Sequence, residues 1–235
     1  MLPSSPSVLT VNIGGAMATD HTDCPDGTGI DKRPVEGPVR VSSPGPKGEG
    51  RSGLAGDMVC DTRYHGGDDQ AVYVYAREDL DIWEKELERE LPNGIFGENL
   101  TTTGIDVTNT RIGERWRIGR ELLLEVTSPR IPCRTFAGWL DENRWMKRFT
   151  AAAVPGAYLR VLEPGEVRAG DPIEIVHRPD HEVTISFLFR AETTERTLLP
   201  RVLAAGDALH PESRETALKY EARAAATVTK TSPGR

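Results

Sequence analysis

The sequence is poor in cysteine, in aromatic side chains and in long apolar runs. Its 235 residues include three cysteines, and aromatic residues make up 6% of them. No CxxC pair occurs, which argues against a paired-cysteine zinc or redox motif, and three cysteines cannot all pair within one chain. No apolar stretch is long enough to cross a bilayer. Because the first basic residue is Lys32, no signal peptide is expected either. These absences predict a cytoplasmic protein with a free thiol and no membrane partner.

An excess of basic charge is also missing. The chain carries 36 acidic and 29 basic residues, a net charge of −7. Proteins that bind nucleic acids normally show a basic face, so we expect no nucleic-acid partner. The balance reverses locally, because residues 115–148 hold eight Lys or Arg against four acids. This zone suits a small anionic ligand, although an ordinary solvated surface has the same composition.

Short strand patterns separated by turns dominate the first 180 residues. Their apolar, β-branched and alternating segments are 8–13, 71–75, 115–118, 122–126, 158–162 and 172–176. One helical pattern interrupts them, in which Leu80, Trp83, Leu87 and Leu91 share a face. We predict a mainly β fold over residues 1–180, with a barrel-like core and helical insertions.

The pattern changes after residue 180. Residues 197–205 and 212–226 are rich in helix formers, whereas 183–189 fits a strand and a helix equally well. We predict a small three-helix domain over 181–228, followed by a flexible tail at 229–235.

The most informative stretch is Ser-Pro-Arg-Ile-Pro-Cys-Arg at 128–134. Cys133 follows a predicted strand, a position at which loops often present functional groups. Arg130 and Arg134 place positive charge beside it, which favours the thiolate that ligates metals or attacks electrophiles. A structural cysteine in a basic loop explains the spacing equally well.

Two further stretches contain groups that bind ligands. At 63–67, Arg63 and His65 can donate charge-assisted hydrogen bonds, and Gly66 and Gly67 allow backbone amides to approach an anion. A tight turn before the next strand is the simpler explanation. At 96–101, the polar groups of a Phe-Gly-Glu-Asn-Leu-Thr segment either bind a heterocycle or satisfy their own loop.

Taken in order, these stretches resemble the MOSC family, the domain found at the C-terminus of molybdenum-cofactor sulfurases. The matching segments are 56–57, 63–67, 96–101, 112–113, 129–133 and 158–165. Within the family, the chain resembles stand-alone bacterial members that confer resistance to N-hydroxylated purine bases and carry a C-terminal three-helix domain. It departs from their pattern at Val59, where relatives often have Gln, and at Asp68 and Gln70, where many have Pro and a basic residue.

The resemblance implies a bound molybdenum–molybdopterin cofactor with the Cys133 thiolate as a ligand to molybdenum. Cys60 falls where relatives usually have Ala and is predicted to be a packing thiol, whereas Cys24 matches no family motif. Lys32 and Arg33 are candidates for the cofactor's phosphate. The remaining predicted cofactor-binding residues are Arg63, His65, Gly66, Gly67, Asn99, Thr101, Arg130 and Arg134.

The implied activity is reduction of N-hydroxylated compounds, such as hydroxylaminopurines, hydroxylamines or amidoximes. The sequence has no flavin, NAD or iron–sulfur fingerprint, so electrons would come from a separate redox protein. The alternative is a carrier, in which Cys133 holds the cofactor or a persulfide sulfur and passes it on without turnover.

Overall fold

The computed structural model describes the backbone of residues 5–231 and the side chains of residues 5–226. Its strands are β1 (Ser7–Ile13), β2 (Arg33–Pro34), β3 (Val39–Val41), β4 (Val72–Ala76), β5 (Leu100–Thr103), β6 (Arg115–Ile118), β7 (Leu122–Pro129), β8 (Ala157–Glu163), β9 (Gly165–Val167) and β10 (Ile173–His177). Its α-helices are α1 (Arg77–Leu87), α2 (Arg134–Leu140), α3 (Trp145–Ala152), α4 (Ile185–Glu192), α5 (Leu199–Val202) and α6 (Pro211–Thr231). None of the helices within these bounds has the length and hydropathy of a membrane span.

An eight-stranded mixed sheet forms the centre of the molecule. Its strands lie in the order β10-β6-β7-β8-β4-β5-β1-β2, and only β4 and β5 run parallel among the described pairs. The sheet curls until β1 meets the start of β10, where the Val8 N–H donates to the Asp171 carbonyl at 2.9 Å. A separate two-stranded ribbon pairs β3 with β9. The predicted mainly β, barrel-like core is confirmed.

Strand β4 shows how the sheet separates two cores. Successive side chains of a strand point to opposite faces. Val72 and Val74 therefore pack into the main aliphatic core, whereas Tyr73 and Tyr75 pack into a second, aromatic cluster on the other side. Because both faces are covered, every residue of this strand is buried.

The aromatic cluster packs four helices, α1 to α4, against the sheet. Phe96, Phe136, Trp145 and Phe149 are fully buried or nearly so, and their rings meet mainly edge to face, as at 5.2 Å between the centroids of Phe136 and Phe149. Phe136 belongs to α2, the helix that begins directly after Cys133. The cluster therefore fixes the backbone on which the predicted thiol lies.

The C-terminal region is helical, and the ambiguous segment 183–189 forms α4. The Oγ1 atom of Thr184 caps this helix by accepting from the Phe187 N–H at 3.1 Å. Leu188, Leu199 and Val202 belong to the same aliphatic core as the sheet. Three α-helices occupy the predicted helical region, but the boundary at residue 180 stays a prediction because the two parts share a core.

The predicted tail falls only partly within the described residues. Residues 229–231 continue α6, so the helix extends past the predicted boundary at 228. Residues 232–235 lie outside the described range.

Phe149→Ala should destabilise the protein by about 3–5 kcal/mol, because it leaves a cavity among tightly packed rings. Met146, one turn away on α3, is 45% exposed, so Met146→Ala should cost less than about 1 kcal/mol. Chemical denaturation of both variants measures the difference. Equal losses would mean that the cluster does not hold these helices.

Candidate functional site

A cavity lies between the N-terminal loops and the ends of β4, β7 and β8. It encloses about 750 Å³, counting the part that opens to solvent. Six of the predicted site residues line its wall: Lys32, His65, Gly66, Asn99, Arg130 and Cys133.

Cys133 is half-buried and occupies the extended residue that precedes α2. Burial alone raises the pKa of its thiol. A hydrogen bond with His65, the charge of Arg130 and a hydrogen bond from the Phe136 N–H together outweigh burial and lower this pKa to about 6. Cys133 is therefore mostly thiolate at neutral pH.

Arg130 follows the end of β7 and is almost fully buried. Its guanidinium carbon lies 4.1 Å from the ring centroid of Phe136 and 5.0 Å from that of Tyr73. Nη1 donates to the Phe96 carbonyl, whereas Nε is buried without a hydrogen-bond partner. Within the described part of the chain, no carboxylate forms an ion pair with this side chain.

Lys32, the other buried cation of the wall, has a carboxylate partner in Asp57. Burial lowers the pKa of Lys32, and the adjacent carboxylate opposes this effect. Asp57 also accepts 2.9 Å hydrogen bonds from the Gly14 N–H and from Nδ2 of Asn99. Since Oδ1 of Asn99 accepts from the Tyr73 N–H, the Asn99 amide mainly braces the cavity wall.

Thr101, which is predicted to bind the cofactor, does not line the cavity. Its hydroxyl donates to Glu98 at 2.8 Å and accepts from Nδ2 of Asn12 at 3.0 Å. Glu98 is fully buried, also accepts from the Phe96 N–H at 3.0 Å, and has its pKa raised by that burial. Here the polar groups satisfy their own loop, which is one of the two alternatives that the sequence leaves open.

Comparison with known proteins gives this architecture a family. The family model described as the MOSC domain matches residues 61–174. The protein YflK of Bacillus subtilis is 32% identical over 201 residues, which cover 84% of this chain and 87% of the relative. The chain belongs to the MOSC domain family.

A solved structure and a fungal protein extend the comparison. YiiM from Geobacillus stearothermophilus superposes with a TM-score of 0.72 at 26% identity, covering 91% of this chain and 98% of that one. A Gibberella moniliformis protein named "Reductase" is 33% identical over 154 residues. That match covers 64% of this chain but only 26% of the fungal protein.

Four other predicted residues of this MOSC chain lie outside the cavity wall. Arg33 is exposed and ion-paired with Asp31 at 2.9 Å, and Arg63 is ion-paired with Asp61 at 2.8 Å. Gly67 packs against the Lys47 backbone. Arg134 lies nearer the surface, in an outer chamber that adjoins the cavity.

Sequence reasoning did not place several wall residues, among them Gln70, Tyr158 and Cys60. Oε1 of Gln70 is buried without a hydrogen-bond partner. Burial raises the pKa of Cys60, which distinguishes this thiol from Cys133. For Gln70 the sequence did contain a signal. Many relatives have a basic residue at position 70, whereas this chain has an amide that can both donate and accept hydrogen bonds close to the paired glycines.

The thiol of Cys133 should titrate with a pKa of about 6 in a protein whose other cysteines are replaced by Ser. Alkylation by iodoacetamide should therefore reach half its maximal rate near that pH and plateau above it. His65→Ala removes a hydrogen bond to the thiolate and should move the midpoint upward. A midpoint that His65→Ala leaves unchanged would contradict the assigned hydrogen bond.

Proposed function

We propose that this protein holds a molybdenum–molybdopterin cofactor through the Cys133 thiolate and reduces N-hydroxylated compounds with it. One observation carries the proposal: a thiolate and a buried guanidinium without a carboxylate partner share one cavity. The MOSC family is a molybdenum-cofactor-binding family, and a protein similar to part of this chain bears the name "Reductase".

The unpaired groups of the cavity fit such a cofactor. Arg130 has a buried Nε without an acceptor, and Gln70 has a buried Oε1 without a donor. A pterin with a phosphate offers both an anionic acceptor and N–H donors. Lys32 keeps two further N–H donors beside the one directed at Asp57.

Cys133 is the residue suited to the metal. No group of three or more His, Cys, Asp or Glu side chains in the described chain could hold a metal ion alone. A single thiolate is sufficient if the pterin's own sulfur atoms supply other ligands. Because soft thiolates bind transition metals well, Cys133 would hold the metal end of the cofactor and Arg130 its anionic part.

The bound cofactor would supply two-electron chemistry, so that R–NHOH, two electrons and two protons give R–NH₂ and water. His65 lines the cavity and hydrogen-bonds Cys133, so it would restrain the thiolate that holds the metal. The electrons would come from a separate redox protein, because the sequence has no second redox-cofactor motif.

Cys133→Ser should reduce the bound molybdenum about tenfold or more, because a serine hydroxyl neither ionises near neutral pH nor offers a soft donor. Both proteins would be purified from a host that makes the cofactor, and their molybdenum measured by mass spectrometry. Cys24→Ser is the matched control, since Cys24 lies outside the cavity wall and should keep parental occupancy.

Thermal unfolding separates loss of the ligand from loss of the fold, since the substitution of a half-buried thiol should move the melting temperature little. A parent without molybdenum, or a Cys133→Ser protein with full occupancy, would contradict the ligand assignment.

Turnover distinguishes the reductase from a carrier of cofactor or sulfur. The loaded parent should consume hydroxylamine with a reduced viologen dye as electron donor, and Cys133→Ser should not. A parent that retains molybdenum but shows no turnover, while transferring cofactor or persulfide sulfur to an acceptor protein, would favour the carrier role.

A further inference from the structure

An outer chamber adjoins the cavity and shares Cys133 with it. His65, Gln70 and Tyr158 also line both compartments. Cys133 thus lies where an inner compartment, lined by buried and half-buried residues, meets an outer one whose wall includes exposed residues. The outer wall includes two exposed apolar side chains, Tyr64 at 66% and Ile131 at 45% exposure.

A loop at residues 43–51 forms part of the outer rim. The paired glycines hold it there: a Cβ atom on Gly67 would lie 2.7 Å from the Cα atom of Lys47, and one on Gly66 would lie 2.5 Å from the Arg51 carbonyl oxygen. Asp68 adds a 2.9 Å hydrogen bond from the Gly45 N–H. Glycine at positions 66 and 67 thus lets the backbone of the loop pack closely, which places Lys47 at the chamber.

The opposite side of the rim comes from the C-terminal helical region. Glu212 lies in the first turn of α6 and lines the same outer chamber as Lys47 and Cys133. Lys47 Nζ donates to Glu212 Oε1 at 2.6 Å across 165 positions of sequence. An ion pair of this exposure contributes little to stability, typically less than about 1 kcal/mol, so stability alone gives a weak reason for its position.

Both members of the pair keep hydrogen-bonding capacity toward the chamber. The ammonium has two N–H donors beyond the one it directs at Glu212, and the carboxylate has a second oxygen. Among the described residues, no second hydrogen bond is assigned to either side chain. A molecule with adjacent N–H donors and nitrogen acceptors, as on the edge of a heteroaromatic base, could bind both at once.

We propose that the outer chamber is the substrate compartment and that the Lys47–Glu212 pair determines its specificity for large, ring-bearing substrates. This inference rests on the proposed reductase function and adds a role for the C-terminal helical region. Hydroxylamine has no ring edge that could bind the pair, whereas a hydroxylaminopurine offers hydrogen-bonding ring atoms apart from its N–O bond.

The test compares KM and kcat for these two substrates in the loaded enzyme. Lys47→Met and Glu212→Gln should each raise KM for a hydroxylaminopurine about tenfold, the effect of losing one charge-assisted hydrogen bond. KM for hydroxylamine, kcat for both substrates and molybdenum content should stay within about twofold. Equal effects on both substrates, or none, would overturn the inference.

The same helix provides a matched control. Glu215 forms a 2.6 Å ion pair with Lys219 on α6 but does not line the chamber. Glu215→Gln should leave both KM values unchanged. A rise for the hydroxylaminopurine equal to that of Glu212→Gln would show that a general change in helix charge, rather than the rim pair, is responsible.

A charge swap distinguishes substrate recognition by the Lys47–Glu212 pair from a purely structural role, in which the pair only connects the loop at residues 43–51 to α6. Lys47→Glu combined with Glu212→Lys can restore an ion pair between the two elements but exchanges the positions of donor and acceptor. We expect the melting temperature to return toward that of the parent while KM for the hydroxylaminopurine stays raised. Recovery of KM along with the melting temperature would show that the pair has only a structural role and would refute the specificity role.

A binding measurement keeps this inference separate from the proposed reductase function. If the molybdenum-loaded parent turns over neither substrate, the reductase proposal fails. Adenine titrated calorimetrically into the same proteins then decides the rim's role. Binding to the parent and to Glu215→Gln, weakened about tenfold in Lys47→Met, would support recognition by the pair. Absence of binding to the parent, or equal affinities, would refute it.

Discussion

The site depends on one buried charge that has no carboxylate partner, the guanidinium of Arg130. Taking a cation out of water costs several kcal/mol unless nearby groups replace its hydration. Here the rings of Phe136 and Tyr73 and the carbonyl of Phe96 replace part of it. None of these groups carries a formal negative charge. The fold therefore keeps a positive charge in the cavity, which stabilises the Cys133 thiolate and remains available to an anionic ligand.

Lys32, the other buried cation of the cavity wall, is neutralised by a carboxylate partner. Its ammonium has a carboxylate neighbour in Asp57, and Asp57 is held by Gly14 and Asn99. This pair is nearly neutral as a unit, so it braces the wall and adds directed donors without much net charge. The positive potential at Cys133 thus comes mainly from Arg130, consistent with the contribution of that arginine to the lowered thiol pKa.

Short sequence patterns predicted the features that depend mainly on neighbouring residues, such as strands and the loop that contains Cys133. Alternating and continuous apolar segments predicted β1, β4 and the later strands, and the Pro-Arg-Ile-Pro-Cys segment predicted that Cys133 and Arg130 belong to a site. Tertiary contacts decided what the patterns could not. Thr101 and Arg63 have the chemistry of ligand-binding residues, yet Glu98 and Asp61 occupy their donors. Gln70 and Glu212 reach the site through chain packing that no spacing encodes, and α4 was settled by the Thr184 cap and its buried face.

The aromatic cluster connects stability with the chemistry of the site. Edge-to-face rings are rigid, and Phe136 takes part in both the cluster and the contact with Arg130. Its backbone N–H also hydrogen-bonds the Cys133 thiolate. If the Arg130 guanidinium and the Cys133 thiolate were free to move, water would solvate both, and the arginine would lower the pKa of the thiol less. Because the rings hold both in place before a ligand arrives, binding need not bear the cost of ordering them.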